Sequence, residues 1–203
     1  AAARADKETL LQVLFPNMKE SDDTVGDPDV VTLQSLTSAG WNLLHTAAQY
    51  DHERIAQLFE PRGVLELDCN AVGKMGDTPL HVCAIFGSHR VASWLLDQKA
   101  DPFITDKEGW APIHYSARFG HQEVTEMLRK AEQDAKEKNP TEDGNLEKET
   151  SELLTKDEWT ALHVAARFEQ IEIMTFLLST GMPKEAKDKR GLTALHVAVK
   201  FGL

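Results

Sequence analysis

The sequence is short of most things that would direct it toward a particular chemistry. It has two cysteines, Cys69 and Cys83. Two thiols cannot build the disulfide framework of a small secreted domain, and neither sits in a CxxC or Cys/His spacing that would hold zinc. A reducing compartment, cytosol or nucleus, is the expected setting. No apolar run approaches the roughly 20 residues of a membrane-spanning helix, so no membrane insertion is expected. The opening stretch, AAARADKETLL, has neither an initiator Met nor the hydrophobic core of a secretion signal, and it reads as either a cloning remnant or an internal cut. Basic residues are scarce, with 22 Lys and Arg against 33 Asp and Glu and a formal charge of −11. Nucleic-acid binders draw much of their affinity from neutralising phosphates, so this balance argues against one. The catalytic signatures are missing as well: there is no G-x-S-x-G elbow, no P-loop and no H-E-x-x-H helix. Cys83 lies within an apolar run and is expected to be inert, and Cys69, in ELDCNAVG, has no His tied to it in sequence. Neither catalysis nor a cofactor is expected.

What the chain has in quantity is repetition. GDTPLHVCAIFG, residues 76–87, recurs as GWNLLHTAAQYD from Gly40, GWAPIHYSARFG from Gly109, EWTALHVAARFE from Glu158 and GLTALHVAVKFG from Gly191. The histidines are His45, His81, His114, His163 and His196, spaced by 36, 33, 49 and 33 residues. A 33-residue unit with insertions of three and sixteen residues accounts for this series. Strung out at unit spacing, the five imidazoles cannot converge on one metal or one substrate. Within the unit, Thr78 is placed to cap a helix with its hydroxyl, Pro79 fits the first helical position, and Gly87 can take the left-handed conformation that stops the helix. A second apolar segment follows, RVASWLL here and EVTEMLR and EIMTFLL later, and then a turn such as QKADPF. Each unit therefore reads as helix, tight turn, helix, extended loop.

The pattern resembles the ankyrin-repeat family, whose T-P-L-H-x-A signature is most fully copied by Thr78-Pro79-Leu80-His81-Val82-Cys83-Ala84. The resemblance covers roughly residues 37–203. It implies an all-α solenoid of stacked helix-turn-helix units joined by β-turn loops, divided near 37–72, 73–105, 106–154, 155–187 and an incomplete 188–203. It also implies that the motif His bonds to neighbouring backbone and fixes the turn between units. Asn42 and Ala111 stand where the capping Thr is usual, and Glu158 stands for the turn Gly. Weaker caps, by roughly 1 kcal/mol each, are expected at those two helices.

The remaining segments are less regular. KETLLQVLF, 7–15, and VVTLQSL, 30–36, suggest a degenerate capping pair over residues 1–36, since a terminal unit has one face in water. A charged insertion occupies 129–154. Its first part, 129–138, should extend the preceding helix, and NPTEDGN should break it. Such a loop costs little to lengthen and can be merely tolerated; its functional reading is a partner contact or a phosphorylation segment with Thr141, Thr150 and Ser151 as acceptors. The last unit, GLTALHVAVKFGL, stops after one helix, so a continuing natural chain is expected. A monomer is expected too, with self-association through that open half-unit as a side reading.

A solenoid of this kind works through its continuous concave face. Just after the turn Gly or its equivalent lie Trp41, Asp77, Trp110, Trp159 and Leu192, and in the first helix lie Gln49, Ile85, Arg118, Arg167 and Lys200. The resemblance places both columns among the partner-facing positions. Immediately after the second column runs an aromatic ladder, Tyr50, Phe86, Phe119, Phe168 and Phe201, expected to pack ring over ring between units. The expected partner surface is Trp41, Asp77, Trp110, Arg118, Trp159, Arg167 and Lys200. The expected function is non-catalytic binding of another protein, through an extended or helical segment bearing acidic groups, because Arg forks match carboxylates. The alternative is the cytosolic ankyrin domain of a larger membrane channel or signalling enzyme.

Overall fold

Nine helices stand in chain order among the residues described by the computed structural model, which are 37–57, 68–138 and 153–202. They are α1 (Leu43–Gln49), α2 (Glu53–Gln57), α3 (Pro79–Phe86), α4 (His89–Asp97), α5 (Pro112–Phe119), α6 (Gln122–Lys138), α7 (Ala161–Arg167), α8 (Ile171–Ser179) and α9 (Ala194–Lys200). Odd-numbered helices carry the His motif, and even-numbered ones are their hairpin partners. No strand occurs among the described residues. This is the all-α solenoid implied by the repeat. The capping pair at 1–36, and Thr141, Thr150 and Ser151, lie outside the described residues.

The motif fixes where each first helix begins. Pro79 and Pro112 occupy the first helical position of α3 and α5, where no N–H is needed. Thr160 accepts the His163 N–H at 3.3 Å. Asn42 does the same for His45 at 3.2 Å, so this cap is not weakened as its departure from Thr suggested; Asn is itself among the best caps. Ala111 has no oxygen to offer. At Thr78 the hydroxyl lies 2.9 Å from His81 Nδ1 in place of the orphan N–H expected for it. The exit is a left-handed residue: Gly87 and Gly120, or Asp51 and Glu169 at φ 52° and 62°. Asp51 has a second task there, since its carboxylate accepts the Arg90 and Val91 N–H groups at 3.1 Å each and caps the start of α4.

Packing follows from residue size. Ala47, Ala48, Cys83, Ala84, Ala117, Ala165 and Ala166 are buried on the first helices, and their small side chains let neighbouring helices approach closely. The second helices contribute Val91, Leu95, Val124, Leu128, Ile173 and Leu177, each fully buried and contributing roughly 1.5–3 kcal/mol for the larger side chains. The expected extension of α6 is present, for the helix runs 17 residues to Lys138. Arg129 anchors it, pairing with Glu132 at 3.1 Å and donating from Nε to Thr180 Oγ1 at 3.3 Å, just past the end of α8.

Candidate functional site

The histidines are joints. In each complete joint Nδ1 accepts the N–H of the residue three positions back, and Nε2 donates to a carbonyl of the following unit. His81 takes the Thr78 N–H at 3.0 Å and gives its proton to Trp110 O at 2.9 Å. His163 bonds Thr160 N–H at 3.3 Å and Leu192 O at 3.0 Å, and His45 bonds Asn42 N–H at 3.2 Å and Asp77 O at 3.1 Å. His114, whose next unit is displaced by the insertion, takes the Ala111 N–H and reaches Leu153 O, both at 3.0 Å. His196 accepts the Thr193 N–H at 3.4 Å and is exposed. An N–H facing Nδ1 selects the neutral ring with its proton on Nε2. Burial lowers the pKa of His45 and His81 and brings that of His114 down to about 4, against the opposing pull of the carbonyl bonds. Among the described residues no set of three or more His, Cys, Asp or Glu gathers as metal ligands.

The turns between units are held by aspartates. Asp106 accepts the Glu108 and Trp110 N–H groups on Oδ1 at 2.9 Å each, and the Tyr115 hydroxyl on Oδ2 at 2.6 Å. Asp188 repeats this, accepting from Arg190 at 2.9 Å, Leu192 at 2.8 Å and the Trp159 indole at 3.2 Å. Burial alone would raise the Asp188 pKa, but these donors outweigh it and hold the carboxyl low. Each turn also lies on the one before it: Lys74, Lys107 and Lys189 donate their backbone N–H to Ala39, Met75 and Asp157 at 2.8, 2.9 and 3.1 Å.

The seven expected partner residues fall into three groups against this frame. Trp41 and Asp77 form a pair at the first joint, where Asp77 is 8% exposed and its carboxylate accepts the Trp41 indole N–H. Trp159 is half-buried and bonded to Asp188, in a turn. Trp110, Arg118, Arg167 and Lys200 come together in a row. Arg118 Cζ lies 5.8 Å from the Trp110 ring centre, 5.2 Å from Phe119 and 4.8 Å from Phe168. Arg167 Cζ lies 5.3 Å from Phe168 and 3.7 Å from Phe201, and Lys200 Nζ lies 5.7 Å from Phe201. All these contacts are within the range of cation–π attraction.

The aromatic ladder therefore differs from the ring-over-ring packing expected of it. Tyr50, Phe86 and Phe119 are 60%, 46% and 44% exposed, and what lies between Phe119, Phe168 and Phe201 is guanidinium. The signal was the adjacency of Arg118-Phe119, Arg167-Phe168 and Lys200-Phe201, which puts a cation beside each ring on neighbouring helices. The aspartate clamps also went unread, although the DKxG phrase at 106 and 188 carries them. No carboxylate pairs with Arg118, Arg167 or Lys200 among the described residues.

The model of the family described as ankyrin repeats (3 copies) matches residues 1–106, 62–142 and 142–203. An ankyrin repeat protein of fowlpox virus is 30% identical over 128 residues, 63% of this chain and 77% of the viral one. Human Rabankyrin-5 is 29% identical over 167 residues, 80% of this chain and 13% of its own length. The human ankyrin and armadillo repeat-containing protein is 27% identical over 169 residues, 83% of this chain and 11% of its own. The chain thus spans most of the viral relative and a small part of the two human ones. With its units in phase, its His joints in place and the family model matched from end to end, this chain belongs to the ankyrin-repeat family.

Proposed function

We propose that this chain is a non-catalytic module that seats a protein partner on the concave face of its repeats, centred on Trp110, Arg118, Trp159, Arg167 and Lys200. Ankyrin repeats generally mediate protein–protein interaction, and that much follows from the family. The observation that carries the finer reading is the row itself. Three cations stand in register on successive first helices, flanked by aromatic rings and unpaired with any carboxylate among the described residues, in a chain of net charge −11. Arg and aromatic residues are the groups that dominate interface energetics. Trp41 and Asp77 enter this reading only as the edge of the surface, since the Asp77 carboxylate is bonded to Trp41.

Displaced pKa values are the first place to look for enzymic chemistry. Here they fall on His45, His81 and His114, whose ring nitrogens are bonded to backbone, on Tyr115 and Asp188, which hold turns, and on Cys69 and Cys83, whose thiols burial pushes up. Those groups do structural work. The test is co-precipitation from cell lysate with wild type and with the double variant Trp110→Ala, Arg167→Glu. The double variant should lose the partner that the wild type retains. Equal retention of a verified partner by both proteins removes this surface from consideration.

A further inference from the structure

We infer that the concave face is divided along its length and takes a protein segment of matching polarity, with an apolar, aromatic-rich end on α1 and α3 and an acidic end on α5, α7 and α9. The inference rests on the concave-face reading and adds the chemistry of the partner and its placement along the array. The division follows from the repeat. Four residues after each motif His stand Gln49, Ile85, Arg118, Arg167 and Lys200, and the residue after each of these is an aromatic ring in every unit. The first helices pack in chain order, α1 on α3, α3 on α5, α5 on α7 and α7 on α9, so equivalent positions form a line along one face.

Along that line the chemistry changes once. In the first two units the line carries Gln49 and Ile85, which are uncharged, and the rings beside them, Tyr50 and Phe86, are exposed. No cation lies over either ring among the described residues. His52 stacks on Tyr50 at 5.9 Å, and 60% of the tyrosine still faces water. The two carboxylates near this end are taken: Asp77 accepts the Trp41 indole, and Asp51 caps α4. Exposed rings beside an aliphatic side chain favour an apolar partner, because that contact removes surface from water. A carboxylate set down there would be desolvated with no opposite charge to meet it. In the last three units every position on the line is a cation, and none is paired with a carboxylate among the described residues. An apolar segment laid there would strip water from three charges, whereas acidic side chains would pair with them. A wholly acidic chain or a nucleic acid therefore suits one end only, and a wholly apolar segment suits the other. Four helix-to-helix steps of about 8–10 Å make the line roughly 32–40 Å long. An extended chain of about twelve residues covers that length.

The experiment is fluorescence anisotropy with the full chain and labelled peptides of about twelve residues. A block peptide has Leu and Tyr in one half and Glu in the other, and is made in both chain directions so that the tighter one is used. A second peptide has the same residues in alternation, and a third is Glu throughout. The block peptide should bind about fivefold more tightly than either, the scale of one aromatic anchor. Phe86→Ala should weaken it about fivefold both at low salt and at about 0.5 M salt. Arg167→Gln should weaken it about threefold at low salt only, because exposed ion pairs are screened. Lys130→Gln removes an exposed cation from α6, off the line, and should change neither. Tyr50→Ser and Lys200→Gln, at exposed positions, replace whichever of the first two variants fails to fold. The inference is overturned if the block peptide binds no better than the alternating or the all-acidic one, or if the Phe86→Ala defect disappears at high salt. Displacement by a single-stranded oligonucleotide as effective as by unlabelled block peptide overturns it too. If any of these occurs while a captured partner still depends on Trp110 and Arg167, the concave-face reading stands and only the division is lost.

Discussion

Acid should loosen the array at its histidine joints, and His114 allows the effect to be sized. Its ring is held neutral by the Ala111 N–H at Nδ1 and the Leu153 carbonyl at Nε2, and burial brings its pKa from 6.5 to about 4, with Asp106 pulling weakly the other way. A pKa lower in the folded state means that the unfolded chain takes up the proton first. The contribution of this ring is therefore complete above pH 6.5 and is lost as the pH falls toward about 4. At 1.36 kcal/mol per pH unit the full loss is about 3 kcal/mol, and about 2 kcal/mol is already gone at about pH 5. His45 and His81 shift in the same direction, so the whole chain should lose more than this one ring accounts for.

The assay is urea unfolding between about pH 7 and pH 5, at fixed ionic strength, for wild type and His114→Gln. Gln offers an oxygen and an NH2 group but does not titrate. The variant should be less stable at neutral pH, yet its stability should fall with acid by about 2 kcal/mol less than that of the wild type. Repeat arrays can unfold in steps, so tryptophan fluorescence and far-ultraviolet circular dichroism should both be followed and should coincide. Parallel pH curves for the two proteins would falsify the neutral, doubly bonded ring at this joint.

Three substitutions probe other features. Glu158→Gly relieves a side chain held at φ 60° in the turn; the left-handed cost exceeds the extra chain entropy of Gly, so the urea midpoint should rise by the equivalent of about 0.5 kcal/mol. Gly87→Ala places a Cβ 2.6 Å from His121 Nδ1 at φ 75°, and thermal melting should show a loss of about 1–2 kcal/mol or more. Tyr115→Phe removes the hydroxyl that bonds Asp106 at 2.6 Å, and denaturant titration should register a cost of about 1.5 kcal/mol, with a binding defect only if the turn shifts.

Much of the fold was legible because its determinants are local and recur. Pro79 and Pro112 mark helix starts wherever they occur, Gly87 and Gly120 mark exits, and five histidines in phase leave few arrangements other than a row. Asn42 was misjudged because departure from a pattern was equated with loss of function, whereas the Asn side chain accepts the same N–H as Thr. The candidate surface was legible residue by residue but not in its relations. Trp159 and Asp77 look like free, partner-facing groups in a string of letters; only contacts across units show that each is bonded to a neighbour about thirty residues away. The Arg–Phe alternation is likewise a product of stacking, since each guanidinium meets a ring from the next unit.

That dependence on stacking couples the two halves of the molecule's chemistry. The distance from Arg118 to Arg167 is set by how α5 and α7 meet, and the distance from Arg167 to Lys200 by how α7 and α9 meet. Those same steps are spanned by His114, reaching Leu153 at the start of the next unit, and by His163, reaching Leu192. A joint that opens does not merely lower stability; it changes the interval between two charges that no covalent bond fixes. The spacing of these charges is kept while each imidazole stays bonded at both nitrogens. The buried histidines, which touch no partner in this reading, are therefore the groups on which the spacing of the half-buried Arg118 and Arg167 and of exposed Lys200 depends.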